Sequence, residues 1–371
     1  MKVARALSQI LARASPENVF KSRAASMTRL LCSLLMLATL AATAPAPQPT
    51  NSTQRPEIWA FTGPWDAGSD ASVRTNASKL DAVVTGWIAL DSSSAQPILP
   101  SLFPDTIRPL AGTAAGSRLP PTTMRRMAIV TSWHGDRFHP ETIRRLAREP
   151  EALARAASAI ARHAERMGYR GLVLDFEALE RADLSALIRV VRSVADSAHA
   201  NGISPVTLAI PAGDSDAYPT RALLGATDLL LVMLYDQHWA ESEPGPIAEP
   251  TWVRQTLARR VADAGPGRIV AGLPTYGYRW RKGLATEHIS FADARRIAAG
   301  AHVPLERDPR TQTLRATRRG AWDMWTSDAG LLRVLLDEVR REGVYRIALW
   351  RLGQEDPGIW KVLGGEGGER K

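Results

Sequence analysis

From residue 57 onward, short apolar and β-branched segments alternate with helical ones, and this alternation limits the fold more than any other feature of the chain. The strand-like segments are 57–62 (EIWAFT), 80–90 (LDAVVTGWIAL), 126–133 (RMAIVTSW), 169–176 (YRGLVLDF), 205–211 (PVTLAIP), 227–235 (TDLLLVMLY), 268–275 (RIVAGLPT) and 344–350 (VYRIALW). Helical periodicity fills 151–168, 182–202, 251–265 and 328–343. Gly168, Gly202, Gly265 and Gly343 stand where a left-handed residue closes a helix. Strands separated by helices pair in parallel through crossovers. Eight of them predict an α/β chain folded as a (β/α)8 TIM barrel, and no G-x-G-x-x-G after the first strand supports a dinucleotide fold. Between strands seven and eight, residues 276–325 hold a helix-like stretch (290–300) and a strand-like one (311–325), which predict a small α+β insertion on the upper rim.

The barrel is expected over 57–361, preceded by a leader at 1–44 and a Pro-rich linker at 45–56, with a flexible tail at 362–371. Arg23 and Arg29, a short Leu-rich run and Ala41, Ala42 and Ala44 have the order of a bacterial secretory signal, cut near Ala41 or Ala42. Met27 is an alternative start, and an uncleaved signal-anchor is the other reading, the only one that would put the chain on a membrane. The expected localisation is exported: periplasmic, cell-envelope or secreted. Cys32 is the only cysteine and lies in the leader, so the exported domain is expected to have no disulfide and no thiol nucleophile. Formal net charge is +9, but residues 1–44 hold six basic side chains against one acid, and the remaining arginines are scattered among acids. That pattern predicts a solvated surface and no nucleic-acid partner.

The run GLVLDFEAL (171–179) reads as a buried strand ending in two acids. Alternate residues of a strand face the same way. Val173, Asp175 and Glu177 therefore share one face, with Glu177 expected at the barrel mouth and Asp175 and Val173 in successive layers below. Two close carboxyls resist double ionisation, so one is expected to keep a proton near neutral pH, as a general acid must. Other strand ends add YDQHW (235–239), where Met233 and Tyr235 share a face, the aromatics of GLPTYGYRW (272–280) ending in Trp280, Trp350 of the last strand, and Trp65 after the first. Flat aromatic faces gathered at one end of a barrel suit sugar rings. His134, His139, His163, His199, His238 and His288 show no metal-ligand spacing and are read as surface or capping residues, with His238 a candidate rim contact, so no metal and no cofactor are predicted. Loops 91–123 and 276–325 are expected to form the groove walls.

GLVLDFEAL, VMLYDQHW, AGLPTYGYRW and ALWRLGQEDPGIW resemble the signatures of strands four, six, seven and eight of family 18 glycoside hydrolases, the chitinase-like group, and the opening from Pro56 to Leu90 is similar to that family's first two strands. The likeness is strongest to exported bacterial domains associated with polysaccharide deacetylases or glycosyltransferases, and to cell-wall-acting relatives. It implies that Glu177 is the general acid, that Asp175 orients the substrate's 2-acetamido group, that Tyr235 hydrogen-bonds that group, and that Trp350 is the apolar floor of the sugar subsite, with Asp236 helping to orient the ring. Met233, Trp65 and Trp280 complete the expected substrate contacts. The implied partner is a polysaccharide or oligosaccharide containing N-acetylhexosamine, cleaved by substrate-assisted retaining catalysis. One departure stands out. The family's D-x-x-D-x-D-x-E becomes Arg170, Val173, Asp175 and Glu177, so the acids below Asp175 are absent. This argues against crystalline chitin as substrate, and a non-hydrolytic glycan-binding barrel is the alternative reading.

Overall fold

The computed structural model describes residues 55–99, 124–213 and 216–364. The leader, the linker up to residue 54, and most of the 91–123 loop lie outside the described residues. Eight parallel strands close into a barrel: β1 (Glu57–Phe61), β2 (Ala82–Ala89), β3 (Arg125–Thr131), β4 (Leu172–Asp175), β5 (Val206–Pro211), β6 (Leu229–Met233), β7 (Ile269–Pro274) and β8 (Arg346–Trp350). Each strand pairs with its neighbours in sequence, and β1 closes the ring by pairing with β8 in register from Glu57↔Arg346 to Ala60↔Leu349. All eight strands expected from the sequence are present.

The alternation along each strand divides the core in two. Val173 faces inward with Trp59, Met127, Ile129 and Leu231 and fills the barrel. Leu172, Leu174 and Phe176 face outward beneath the helices, in the larger cluster that holds most of the buried apolar side chains. Removing such a side chain, as in Leu174→Ala, costs about 2–5 kcal/mol because the transfer energy is lost and a cavity remains.

The helices Pro150–Met167, Leu184–Ala200, Pro250–Ala264 and Ala329–Arg341 fall where the periodicity puts them. Gly168 (φ 72°) shows why a glycine ends the first of them: the left-handed turn there disfavours any Cβ. Pro150 starts the same helix at a position whose N–H needs no partner. Two helices the sequence reading did not single out, Ala67–Asn76 and Pro140–Arg148, also contribute buried residues to the packing around the barrel. The chain also continues past the expected domain end. Residues Ile359–Gly364 form a helical turn with Leu363 buried, so the chain expected to be tail from residue 362 packs on the core as far as Leu363.

The insertion is a five-stranded antiparallel sheet with one helix. Its central strand, Trp322–Thr326, pairs with Gly277–Arg281 on one side and Leu314–Arg318 on the other. The helix Phe291–Gly300 opens with a capping box, in which Ser290 and Asp293 satisfy each other's backbone N–H groups. No helix among the described residues is long and apolar enough to cross a membrane.

Candidate active site

The question set by GLVLDFEAL is answered at the C-terminal end of β4. Strand β3 ends in register with it, Thr131 opposite Asp175, and Thr131 Oγ1 donates to Asp175 Oδ2 at 3.0 Å. Ser132 N–H donates to the Asp175 carbonyl at 3.1 Å. Beyond Asp175 the chain leaves the sheet but stays pinned, because the buried Tyr218 hydroxyl donates to the Phe176 carbonyl at 2.8 Å. Ala178 then turns through a left-handed conformation (φ 58°). Glu177 is thereby held over the barrel mouth, directly above Asp175.

The two carboxyls hydrogen-bond each other, and among the described residues the charges that act on Glu177 are those of the carboxylates Asp175 and Asp236. Burial pushes Asp175 up to about 6, against the lowering effect of the Thr131 and Glu177 hydrogen bonds. Burial also raises Glu177 well above the usual carboxylate range, and the negative charges of Asp175 and Asp236 push the same way. The pair therefore holds one proton near neutral pH, on Glu177. Burial, reinforced by the charges of Glu177, Asp175 and Asp236, likewise keeps the Tyr235 hydroxyl protonated far above its ordinary range, so Tyr235 is a donor.

These groups line one cavity of about 510 Å³. Asp175, Glu177, Tyr235, Asp236, Met233, Trp350 and Trp65 all reach it. Trp350, at the end of β8, lies nearly parallel to the Tyr235 ring (centroids 6.4 Å apart, 13° between planes) and takes the edge of Phe61 at 5.2 Å. The peptide bond from Trp350 to Arg351 is cis. Asp236 adopts φ 56°, and its Oδ1 accepts hydrogen bonds from the hydroxyls of Tyr276 and of Tyr278, the latter at 3.2 Å. Burial nonetheless raises its pKa, outweighing the two phenols.

Trp280 does not belong to this set. It is 7% exposed, packs with Tyr276 and Ile247, and donates its Nε1–H to the Trp239 carbonyl at 3.2 Å. Its strand belongs to the insertion sheet rather than to the end of β7, which carries the ring away from the cavity. The insertion itself supplies no lining residue; it contributes the two tyrosines that hold Asp236. The wall comes instead from a two-stranded hairpin, Trp133–His134 paired with Arg137–Phe138, which contributes Trp133, His134, Gly135 and Phe138. The Gly135-Asp136 pair between two aromatics was the available signal for that turn.

The histidines divide. His199 sits at the surface, Nε2 against Asp228 Oδ2 at 2.8 Å, and His238 bonds the Glu243 carbonyl at 2.9 Å without lining the cavity. His288 is exposed, as expected, and stacks on Tyr276 (centroids 4.5 Å apart), whereas His134 lines the cavity and His163 is buried on its helix, so these two are not the surface or capping residues expected. Among the described residues, no group of three or more His, Cys, Asp or Glu side chains is arranged to hold a metal ion.

Comparison with known proteins points the same way. Solved structures with this fold include the spore cortex-lytic enzyme SleL of Bacillus cereus (TM-score 0.72, 19% identity, 84% of this chain and 74% of that one). A chitinase of Chromobacterium violaceum ATCC 12472 is also similar (TM-score 0.71, 20% identity, 83% of this chain and 98% of that one). In sequence, the chain is similar to a cortical fragment-lytic enzyme of Bacillus subtilis (strain 168), 24% identical over 255 residues that make up 64% of this chain. The match spans 59% of the length of that relative. The model for glycosyl hydrolases family 18 matches residues 61–348, nearly the whole barrel and all the strands that carry the cavity's acids. The chain belongs to glycosyl hydrolase family 18.

Proposed function

We propose that the chain is an exported glycosidase that cleaves β-linked polymers containing N-acetylglucosamine, with net retention and with the substrate's own acetamido group as nucleophile. One observation carries this reading: Asp175 and Glu177 share a hydrogen bond on the same side of one strand end. A retaining glycosidase that uses a protein nucleophile sets its carboxyls about 5–5.5 Å apart across the scissile bond. Asp175 is too close to Glu177, and on the wrong side, to attack the anomeric carbon from behind. Asp236, the third carboxylate of the cavity, has one oxygen occupied by two phenols and is suited to orienting the ring.

In this mechanism Glu177 gives its proton to the departing glycosidic oxygen. The acetamido oxygen closes on the anomeric carbon as that bond breaks, with Asp175 accepting from the acetamido N–H and Tyr235 donating to its carbonyl oxygen. Glu177, now ionised, takes a proton from the water that opens the cyclic intermediate, which restores the acid. Trp350 lies beneath the sugar as its apolar floor. Export is supported by the basic start, apolar run and small-residue exit of residues 23–44.

The test uses defined oligomers. The protein should cleave N-acetylglucosamine tetramers to give a β-anomeric product, visible by proton NMR before mutarotation, and should leave the de-N-acetylated tetramer intact. Equal cleavage of both tetramers would overturn the assisted mechanism. Binding without cleavage would instead identify a glycan-binding barrel.

A further inference from the structure

We infer that Arg351 is a positioning residue that clamps the Trp65 indole at the mouth of the cavity and through it sets the affinity for sugars beyond the cleaved bond. The sugar half of this inference rests on the glycosidase reading above; the clamp itself does not.

Trp65 lies in the turn between β1 and the helix Ala67–Asn76 and is 54% exposed. An indole this exposed gains little from burial, and without support its side chain would move among several rotamers. The molecule supplies that support from behind. Arg351 follows the floor residue Trp350 and is only 7% exposed, rare for a guanidinium unless it is paired. Its Nη1 donates to Asp66 Oδ2 at 2.7 Å, and its planar head lies 5.3 Å from the Trp65 ring centre. A flat cation pairs with a carboxylate and covers an aromatic face at the same time, which a lysine cannot do.

The neighbourhood is shaped for this head group. A Cβ at Gly63 would lie 2.6 Å from Arg351 Nη1, so glycine there leaves room for the guanidinium. Asp66 uses its other oxygen to cap the helix, accepting from Gly68 N–H at 2.9 Å, so both ends of the clamp are anchored. Trp65 meets Trp87 edge-on at 5.0 Å, and Trp87 lies 6.5 Å from Trp350. Three indoles thus run from the floor to the mouth. Arg351 itself is not among the residues that line the cavity, so it acts through Trp65.

The experiment compares Arg351→Met, Arg351→Lys, Trp65→Ala and the Arg351→Met/Trp65→Ala double variant in the full chain. On N-acetylglucosamine tetramers, Arg351→Met should raise KM about 10-fold while kcat stays within about 2-fold and the pH profile does not move. Arg351→Lys should recover part of the loss, and Arg351→Met should add nothing once Trp65 is alanine. A separate readout needs no hydrolysis: the emission of Trp65, taken as wild type minus Trp65→Phe, should become more accessible to acrylamide in Arg351→Met. If Arg351→Met does not fold, Asp66→Asn should give the same KM-only pattern in weaker form. Losses that add in the double variant, a fall in kcat at constant KM, or unchanged quenching of Trp65 would each overturn the clamp. If no oligomer is cleaved but the quenching changes, the clamp stands and the glycosidase reading fails.

Discussion

Glu57 and Glu177 stand at opposite ends of the same barrel, each partly buried, and their chemistry is opposite. Glu57 opens β1 at the lower end, where burial raises its pKa, but Trp59 Nε1–H at 2.8 Å and the guanidiniums of Arg346 and Arg125 at 2.9 and 2.7 Å more than offset that and bring it below its ordinary value. Glu177 has acids for neighbours among the described residues, so burial is reinforced and its pKa rises. Burial is common to both; the counter-ion decides. The lower end is built to be stable and the upper end to keep a proton, the division of labour expected of a (β/α)8 barrel.

Exchanging each glutamate for its amide should separate the two roles. Glu177→Gln removes the general acid, so kcat on N-acetylglucosamine oligomers should fall about 1000-fold, within the range of positioned acid catalysis. The same change relieves a buried carboxyl of its penalty, and the midpoint of thermal unfolding at pH 7 should rise by about 2 °C. Asp175→Asn should lower kcat about 100-fold, since the partner of the acetamido N–H is lost. With its anionic neighbour gone, Glu177 should also lose its proton at lower pH, moving the alkaline limb of the rate profile down. In the wild type, the acid limb should lie near the value of about 6 to which Asp175 is raised, because protonating it puts a second proton on the pair.

Tyr235→Phe should cost about 10-fold in kcat, equivalent to about 1.4 kcal/mol for one donor. Glu57→Gln should leave kcat unchanged and destabilise the fold by about 1–2 kcal/mol. That figure is discounted because the carboxylate keeps 22% of its side-chain surface.

The smallest effect is in the pH dependence of stability, and its sign differs between the ends. Glu57 has a lowered pKa, so its contribution is complete above the ordinary carboxylate value and fades as pH falls through the folded value. Asp175 and Glu177 have raised values, so they cost stability at neutral pH, and that cost fades below the ordinary carboxylate range. The unfolding midpoints of wild type, Glu57→Gln and Glu177→Gln should therefore converge in acid, the first variant from below and the second from above.

The upper end was largely legible in the sequence because its logic is local. Period-two alternation put Asp175 on the inward face at the end of β4 and Glu177 on the same side just beyond it, and strand ends gathered Tyr235, Met233 and Trp350 beside them. The rest depends on contacts distant in sequence. Arg125 and Arg346 reach Glu57 from strands that become neighbours only when the barrel closes, so nothing near Glu57 announces its partners. Trp280 lies outside the cavity lining for a related reason. Its strand follows β7 directly, but antiparallel pairing with Trp322–Thr326 takes it into the insertion. Arg351 carried no signal at all, since a lone arginine after a strand says nothing about the indole it supports.

The central claim is that Glu177 holds its proton because burial and the neighbouring carboxylates Asp175 and Asp236 all favour the protonated form. Carbon-13 NMR titration of the Glu177 carboxyl, assigned by its disappearance in Glu177→Gln, tests this directly. The predicted result is a midpoint well above the ordinary 4.5. A midpoint at or below that value, like the one expected for Glu57, would contradict it.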